Sequence, residues 1–160
     1  MKSSDYHSKD SMKPIRLYLD NCCFNRPFDD QSQLLVRLET EAKLFIQEEI
    51  KKGTFELVWS YILELENDVN PNFQRKDNIA SWKKRAKVGI EESEPVLLRA
   101  ENYKRQGLRP KDALHVACAV ETASKYFITT DRGIIKKNFT EIIVCSPIDF
   151  LNLYKEIKYE

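Results

Sequence analysis

The sequence predicts an α/β fold, a parallel sheet covered by helices on both faces and contained in a single domain. Three observations lead there. Apolar runs of strand character alternate with segments whose apolar residues recur at helical spacing, the pattern of βαβ units. No internal repeat, low-complexity block or linker divides the chain. A length of 160 residues suits one domain with a sizeable core.

The elements follow in order. The opening stretch MKSSDYHSKDSMKP is polar and has no apolar signal core, so residues 1–13 are expected to be a disordered tail and 14–160 the domain. No apolar run approaches the roughly 18 residues that span a bilayer, and a cytoplasmic location is expected. Ile15, Leu17, Tyr18 and Leu19 read as a first strand that stops at Asp20; Asn21, two cysteines and the polar loop CCFNRPFDD come next. Residues 33–53 are helical and close with Lys-Lys-Gly, a helix stop. TFELVWS (54–60) reads as a short buried strand, and YILELEN (61–67) as the start of a helix interrupted at Pro71 and Asn72. Residues 78–107 read as helical, with breaks near Gly89 and Pro95. RPKDALHVACAVETAS (109–124) is a helix with Pro110 in its first turn. KYFITTD is a strand ending in Thr-Thr-Asp, and EIIVCSP a last short strand. Ser146 caps the closing helix, and Asp149, three positions on, belongs to that helix start rather than to chemistry.

Charge and cysteine usage exclude several classes. A net charge of +1 rules out a strongly basic nucleic-acid glue, yet basic patches exist. Lys83, Lys84, Arg85 and Lys87 cluster beside Trp82, a possible stacking surface, and Arg99, Lys104, Arg105, Arg109 and Lys111 form a second group. Such runs are either a solvated helix face or a surface that tracks phosphates. The four cysteines include no CxxC pair and the chain has two histidines, so neither a zinc site nor a disulfide framework is expected.

The acids carry the chemistry. In open parallel sheets, sites form beyond the carboxyl ends of the strands. Asp20 closes the first strand and Asp131 a later one, so both should emerge on one edge of the sheet. Asp112 joins them from the first turn of an apolar, buried helix. A fourth acid is Glu64 or Glu66, which a helix turns about 200° apart, so that one faces the cleft and the other solvent. Carboxylates without His or Cys ligands suit hard cations such as Mg²⁺ or Mn²⁺. Such ions orient a water and stabilise phosphoryl displacement, which points to a phosphodiester or phosphate hydrolase.

The strand-closing Asp20, the helix-start Ser60 with its following Glu, KDALHVA and the terminal TTD together resemble the PIN-domain ribonucleases, which include the VapC-type toxins. The pattern runs from Leu17 to about Ile143. The resemblance implies a PIN-like three-layer α/β/α sandwich with a central parallel sheet of four or five strands. It makes Asp20, Glu66, Asp112 and Asp131 the catalytic, metal-binding acids. Glu66 is preferred to Glu64 on its spacing from Ser60, and Thr129 would support Asp131 or a bound water. It implies cleavage of RNA phosphodiester bonds with Mg²⁺ or Mn²⁺, a role as the toxin of a type II toxin–antitoxin pair, a protein antitoxin and a homodimer. One departure stands out: Asn21 and Cys22 occupy positions where family members often carry Ser or Thr, so Asn21 is a supporting candidate. Arg26, with Lys83, Lys84, Arg85 and Lys87, is a candidate for RNA contact. His115, one turn after Asp112, is read as a packing residue. A haloacid-dehalogenase-type phosphatase would need a second Asp where Cys22 stands. The non-enzyme alternative is an inactive PIN-like module that binds RNA or protein, against which retention of all four acids argues.

Overall fold

The computed structural model describes residues 13–25 and 29–159. Residues 1–12 of the expected tail and Arg26 lie outside these. Five parallel strands form the sheet: β1 (Ile15–Leu19), β2 (Phe55–Ser60), β3 (Val88–Ile90), β4 (Tyr126–Ile128) and β5 (Ile143–Cys145). Their order is β3-β2-β1-β4-β5. Among the described residues eight helices accompany them: α1 (Asn21–Asn25), α2 (Leu34–Lys52), α3 (Tyr61–Asp68), α4 (Phe73–Lys83), α5 (Glu94–Arg105), α6 (Pro110–Glu121), α7 (Arg132–Ile135) and α8 (Pro147–Tyr159).

β1 is central because both its faces are apolar; Leu17, Tyr18 and Leu19 are wholly buried. Alternation sends Leu17 and Leu19 to one side and Tyr18 to the other. On the Leu17 side, Phe55 and Tyr126 meet Phe150 of α8 edge-on, at 5.3 and 5.1 Å between ring centroids, and α2 packs beside α8. On the Tyr18 side, Phe127 stacks on the tyrosine ring and α6 covers the sheet, backed by α5. This is the predicted three-layer sandwich. The helix stop at Gly53 is confirmed: its φ of 85° is left-handed, a conformation glycine adopts without a side-chain clash. Ser60 caps α3 by accepting from Leu63 N, and Ser146 caps α8 by accepting from Asp149 N.

Two local readings change. The stretch around Gly89, expected as a helix break, is strand β3, paired to β2 through Val58–Val88 and Ser60–Ile90. The first part of the loop after Asp20 is helix α1.

The order places a topological switch point between β1 and β4: from β1 the chain steps outward through β2 and β3, then returns to β4 on the other side. Connections diverge there, leaving a crevice at the carboxyl ends of the two strands. Asp20 follows β1 and Asp131 follows β4, so the crevice opens between them.

Candidate active site

A cleft of about 790 Å³ lies over this crevice. Its lining includes Asp20, Glu66, Asp112 and Asp131, with Asn21 and Cys22 of α1. All four sequence-predicted acids therefore reach one cavity, each from a different element: the end of β1, α3, the first turn of α6 and the loop before α7.

Asp20 is fixed on several sides. Its Oδ1 accepts from Asn21 N at 2.8 Å and its Oδ2 from Thr129 Oγ1 at 2.8 Å. Cys22 Sγ lies 3.5 Å from the same Oδ2 and 3.4 Å from Thr129 Oγ1. Thr129 thus holds the carboxylate of Asp20 rather than that of Asp131, although its oxygen also accepts from Asp131 N. Asp131 Oδ1 caps α7 by accepting from Gly133 N at 2.8 Å and Ile134 N at 3.4 Å. The turn-forming role and the cleft-lining role coexist on this side chain.

Asp112 enters from a helix start that Pro110 pre-shapes and Arg109 precedes. Burial, joined by the negative charges of Asp20 and Asp131, pushes its pKa above the usual carboxylate range. Burial acts in the same direction on Glu66, but the hydrogen bond from His115, the charges of His115 and Lys111 and a bond from the Asn21 side chain outweigh it, and Glu66 ends below the usual range. Glu64 projects elsewhere. It accepts from Trp59 Nε1 at 2.7 Å and pairs with Lys83 at 3.1 Å, in a separate cavity of about 460 Å³ beside β3.

His115 is buried, as expected of a packing residue, but it is also bound into the acidic site. Its Nε2 lies 2.5 Å from Glu66 Oε1 and 3.8 Å from Asp20 Oδ1, and its Nδ1 is 2.6 Å from Tyr18 Oη. Burial disfavours its charged form, yet the Glu66 bond and the surrounding carboxylates raise its pKa above that of free imidazole.

The basic residues divide differently from the sequence reading. Arg75, Arg109 and Lys111 line the acidic cleft, and of these only Arg109 and Lys111 stood in a basic group read from sequence. Lys83, Lys84, Arg85 and Lys87 are exposed, with Lys83 and Lys87 at the Glu64 cavity. Trp82 offers no stacking surface. It is 6% exposed, and its Nε1 donates to the Gln47 amide oxygen when that amide is turned toward it, at 3.0 Å. The signal for Arg75 was absent from the sequence because α4 brings it to the cleft only in three dimensions.

The donor set fits a hard divalent cation. It is all oxygen, mutually repulsive at Asp20, Asp112 and Asp131, and includes Asn21 Oδ1, a buried oxygen without a hydrogen-bond partner. Among the described residues, no three His, Cys, Asp or Glu side chains are gathered so as to hold a metal ion by themselves. An open arrangement suits Mg²⁺, which keeps several waters and is held by one or two carboxylates together with substrate phosphates. All four cysteines are free thiols.

No protein-family model matches the chain, and no curated protein matches it. Among solved structures, it is similar to a chain of VapBC2 from Rickettsia felis bound to a DNA fragment from their promoter, with a TM-score of 0.56 and 13% identity over 81% of this chain and 97% of that one. It is similar to a chain of DNA-bound VapBC from Salmonella typhimurium, with a TM-score of 0.54 and 13% identity over 83% of this chain and 98% of that one. The fold is VapC-like, that of a PIN domain. At such identity the likeness is one of fold. Among the described residues, no helix is long and apolar enough to cross a membrane.

Proposed function

We propose that the chain is a divalent-metal-dependent endoribonuclease and the toxin of a toxin–antitoxin pair. The observation that carries the nuclease reading is the convergence of Asp20, Glu66, Asp112 and Asp131 on one open cleft at the switch point, lined also by Arg75, Arg109 and Lys111. Carboxylates and cations lining one cleft match a phosphodiester chain, the acids being able to hold a metal ion and the arginines and lysine to meet phosphates. Asp20, Glu66, Asp112 and Asp131 would hold Mg²⁺ or Mn²⁺, with Asn21 Oδ1 adding a neutral oxygen. When bound, such an ion activates water and stabilises the charge of an in-line phosphoryl displacement. The chain's own residues orient and bind: Thr129 and the Asn21 backbone fix Asp20, the Asp131 cap fixes its carboxylate, and Arg75, Arg109 and Lys111 of the cleft lining meet the strand's phosphates. His115 is not placed to take a proton from water, since both ring nitrogens already have partners.

The toxin reading draws on the fold likeness to chains of VapBC complexes and on exposed apolar surface. Leu34, Leu35, Leu38, Leu44 and Phe45 of α2 are all at least 40% exposed, and a protein partner or a second copy would cover them. An antitoxin could also thread an arginine into the acidic cleft, where its planar fork matches carboxylates.

The decisive experiment incubates purified protein with single-stranded and structured RNA in Mn²⁺ or in EDTA, beside Asp20→Asn. Cleavage of unpaired RNA that needs Mn²⁺ and disappears in the folded variant is the expected result. RNA binding without cleavage would replace the enzyme by a PIN-like binding module. Growth arrest on expression, relieved by a neighbouring small reading frame, is expected of the toxin. Harmless expression of the active nuclease would leave an RNase without a toxin role.

A further inference from the structure

Behind the cleft runs a buried chain of polar groups. Ser60 at the end of β2, Tyr18 on β1 and His115 on α6 are each at most 1% exposed. Tyr18 Oη stands 2.6 Å from Ser60 Oγ and 2.6 Å from His115 Nδ1, and His115 Nε2 reaches Glu66 Oε1. The tyrosine ring is itself immobilised, stacked on Phe127 at 5.3 Å and 12°. Unpaired polar groups at such depth are costly, so the protons must be distributed consistently.

For a neutral imidazole one distribution satisfies every atom. Ser60 Oγ accepts from Leu63 N, so its own proton goes to Tyr18. Tyr18 donates to His115 Nδ1, which leaves the ring proton on Nε2, where it is donated to Glu66. The opposite tautomer would turn a lone pair of Nε2 against the Glu66 carboxylate. In the charged imidazole both nitrogens donate, and the two hydroxyls rotate to accept. Nε2 donates to Glu66 in either state.

We infer that His115, aligned by Tyr18 and Ser60, is a positioning residue that fixes the Glu66 carboxylate at the acidic cleft. The same Ser60 that starts α3 is tied, through β1 and α6, to the acid that α3 carries six residues later. Oε1 is engaged by the histidine, and the carboxylate lines the acidic cleft. The relay does not depend on the nuclease reading for its geometry, but its consequence for metal binding rests on that reading. Partners that orient a metal ligand from behind are worth about 10–100-fold in metal affinity or activity.

Two measurements test it without reference to RNA cleavage. In ¹⁵N-labelled wild-type protein free of metal, long-range histidine spectra taken above the pH at which the ring loses its charge are expected to show Nε2 protonated and Nδ1 bare. The signals of His115 are those lost in His115→Gln. A proton on Nδ1 instead would overturn the relay. Titration with Mn²⁺ in the absence of RNA is expected to show His115→Leu binding about tenfold more weakly than wild type. His115→Gln, whose amide keeps an N–H near the position of Nε2, is expected to recover most of that loss, and Tyr18→Phe to fall between. Equal affinities for the Leu and Gln variants would show that packing alone matters at this position and would refute the positioning role. Wild-type protein that binds no Mn²⁺ would remove the metal-dependent function, and the tautomer would then decide the relay by itself.

Discussion

Glu64 and Glu66 leave α3 in different directions because two residues of helix turn a side chain by about 200°. Glu66 meets His115 at the cleft, while Glu64 meets Trp59 and Lys83 in the neighbouring cavity. Their substitution should therefore separate function from stability. Glu66→Gln is expected to lower Mn²⁺-dependent cleavage on the order of 100-fold, as loss of a pre-set charge does in other active sites. Glu64→Gln keeps an acceptor for the Trp59 indole, loses a partly exposed ion pair, and is expected to cost at most about 1 kcal/mol in a urea melt with near-normal cleavage. Steady-state cleavage and equilibrium unfolding of the two variants check this, and the reverse ranking would make Glu64 the functional acid. Asp112 belongs to the same scale. Burial and the negative charges of Asp20 and Asp131 disfavour its ionised form, so Asp112→Asn is expected to raise the metal-free melting temperature at neutral pH while reducing the further rise that Mn²⁺ gives the wild type. A lower metal-free melting temperature would mean that its place in the first turn of α6 outweighs the repulsion.

At the scale of elements, β3 shows where sequence reading stops. Val88, Gly89 and Ile90 are too few to display a period of two, and they lie between helical segments; pairing to β2, set by distant residues, makes them a strand. The four-residue α7 and five-residue α1 escaped for the same reason, being fixed by the Asp131 cap and by burial of Cys23 and Phe24. Long elements were legible because their apolar spacing is sustained: α2 and α6 fall within about two residues of their expected limits at most ends. The strand-ending acids were legible through a rule of topology, since a parallel sheet gathers its carboxyl ends on one edge. The Tyr18–His115–Glu66 contacts and the place of Arg75 in the cleft lining join residues far apart in sequence, and no local pattern encodes them. β3 also offers a test. A Cβ added at Gly89 would meet nothing closer than Trp59 O at 4.0 Å, and the residue has no left-handed φ to preserve. Gly89→Thr is thus expected to stabilise the protein by about 0.5–1 kcal/mol, through lower unfolded-state entropy and better strand propensity. Urea denaturation measures it, and a loss would mean that the edge strand needs glycine for reasons its geometry does not reveal.

At the scale of the whole molecule, the sandwich encloses a lysine that, among the described residues, no acid neutralises. Lys43 of α2 is 0% exposed. Its Nζ lies 4.4 Å from the Phe24 ring centroid and 5.9 Å from that of Trp82, and the turned Gln47 amide accepts from it at 2.8 Å. Aromatic faces and one amide compensate poorly for lost hydration, and burial pulls the lysine pKa down to about 7, only partly opposed by Cys23 and Cys22. The sign of the linkage follows from the protons bound. Between about 7 and the ordinary lysine value of 10.5 the unfolded chain holds a proton at this site and the folded protein does not, so folding is increasingly favoured as pH rises through that window. The contribution is complete above the unfolded value and is lost as pH falls to about 7, below which the folded protein carries a buried ammonium. Phe24 belongs to α1 and Trp82 to α4, so the cost falls where these helices close over α2. Lys43→Met fills similar volume without a charge. It is expected to flatten this limb of the stability profile and to raise stability at neutral pH, by a few kcal/mol at most. Urea melts in EDTA across the window, wild type beside variant, read the slope directly. Parallel profiles for the two proteins would mean that Lys43 keeps its proton in the folded state, with water or a rearranged α1 supplying the hydration that the closed core denies.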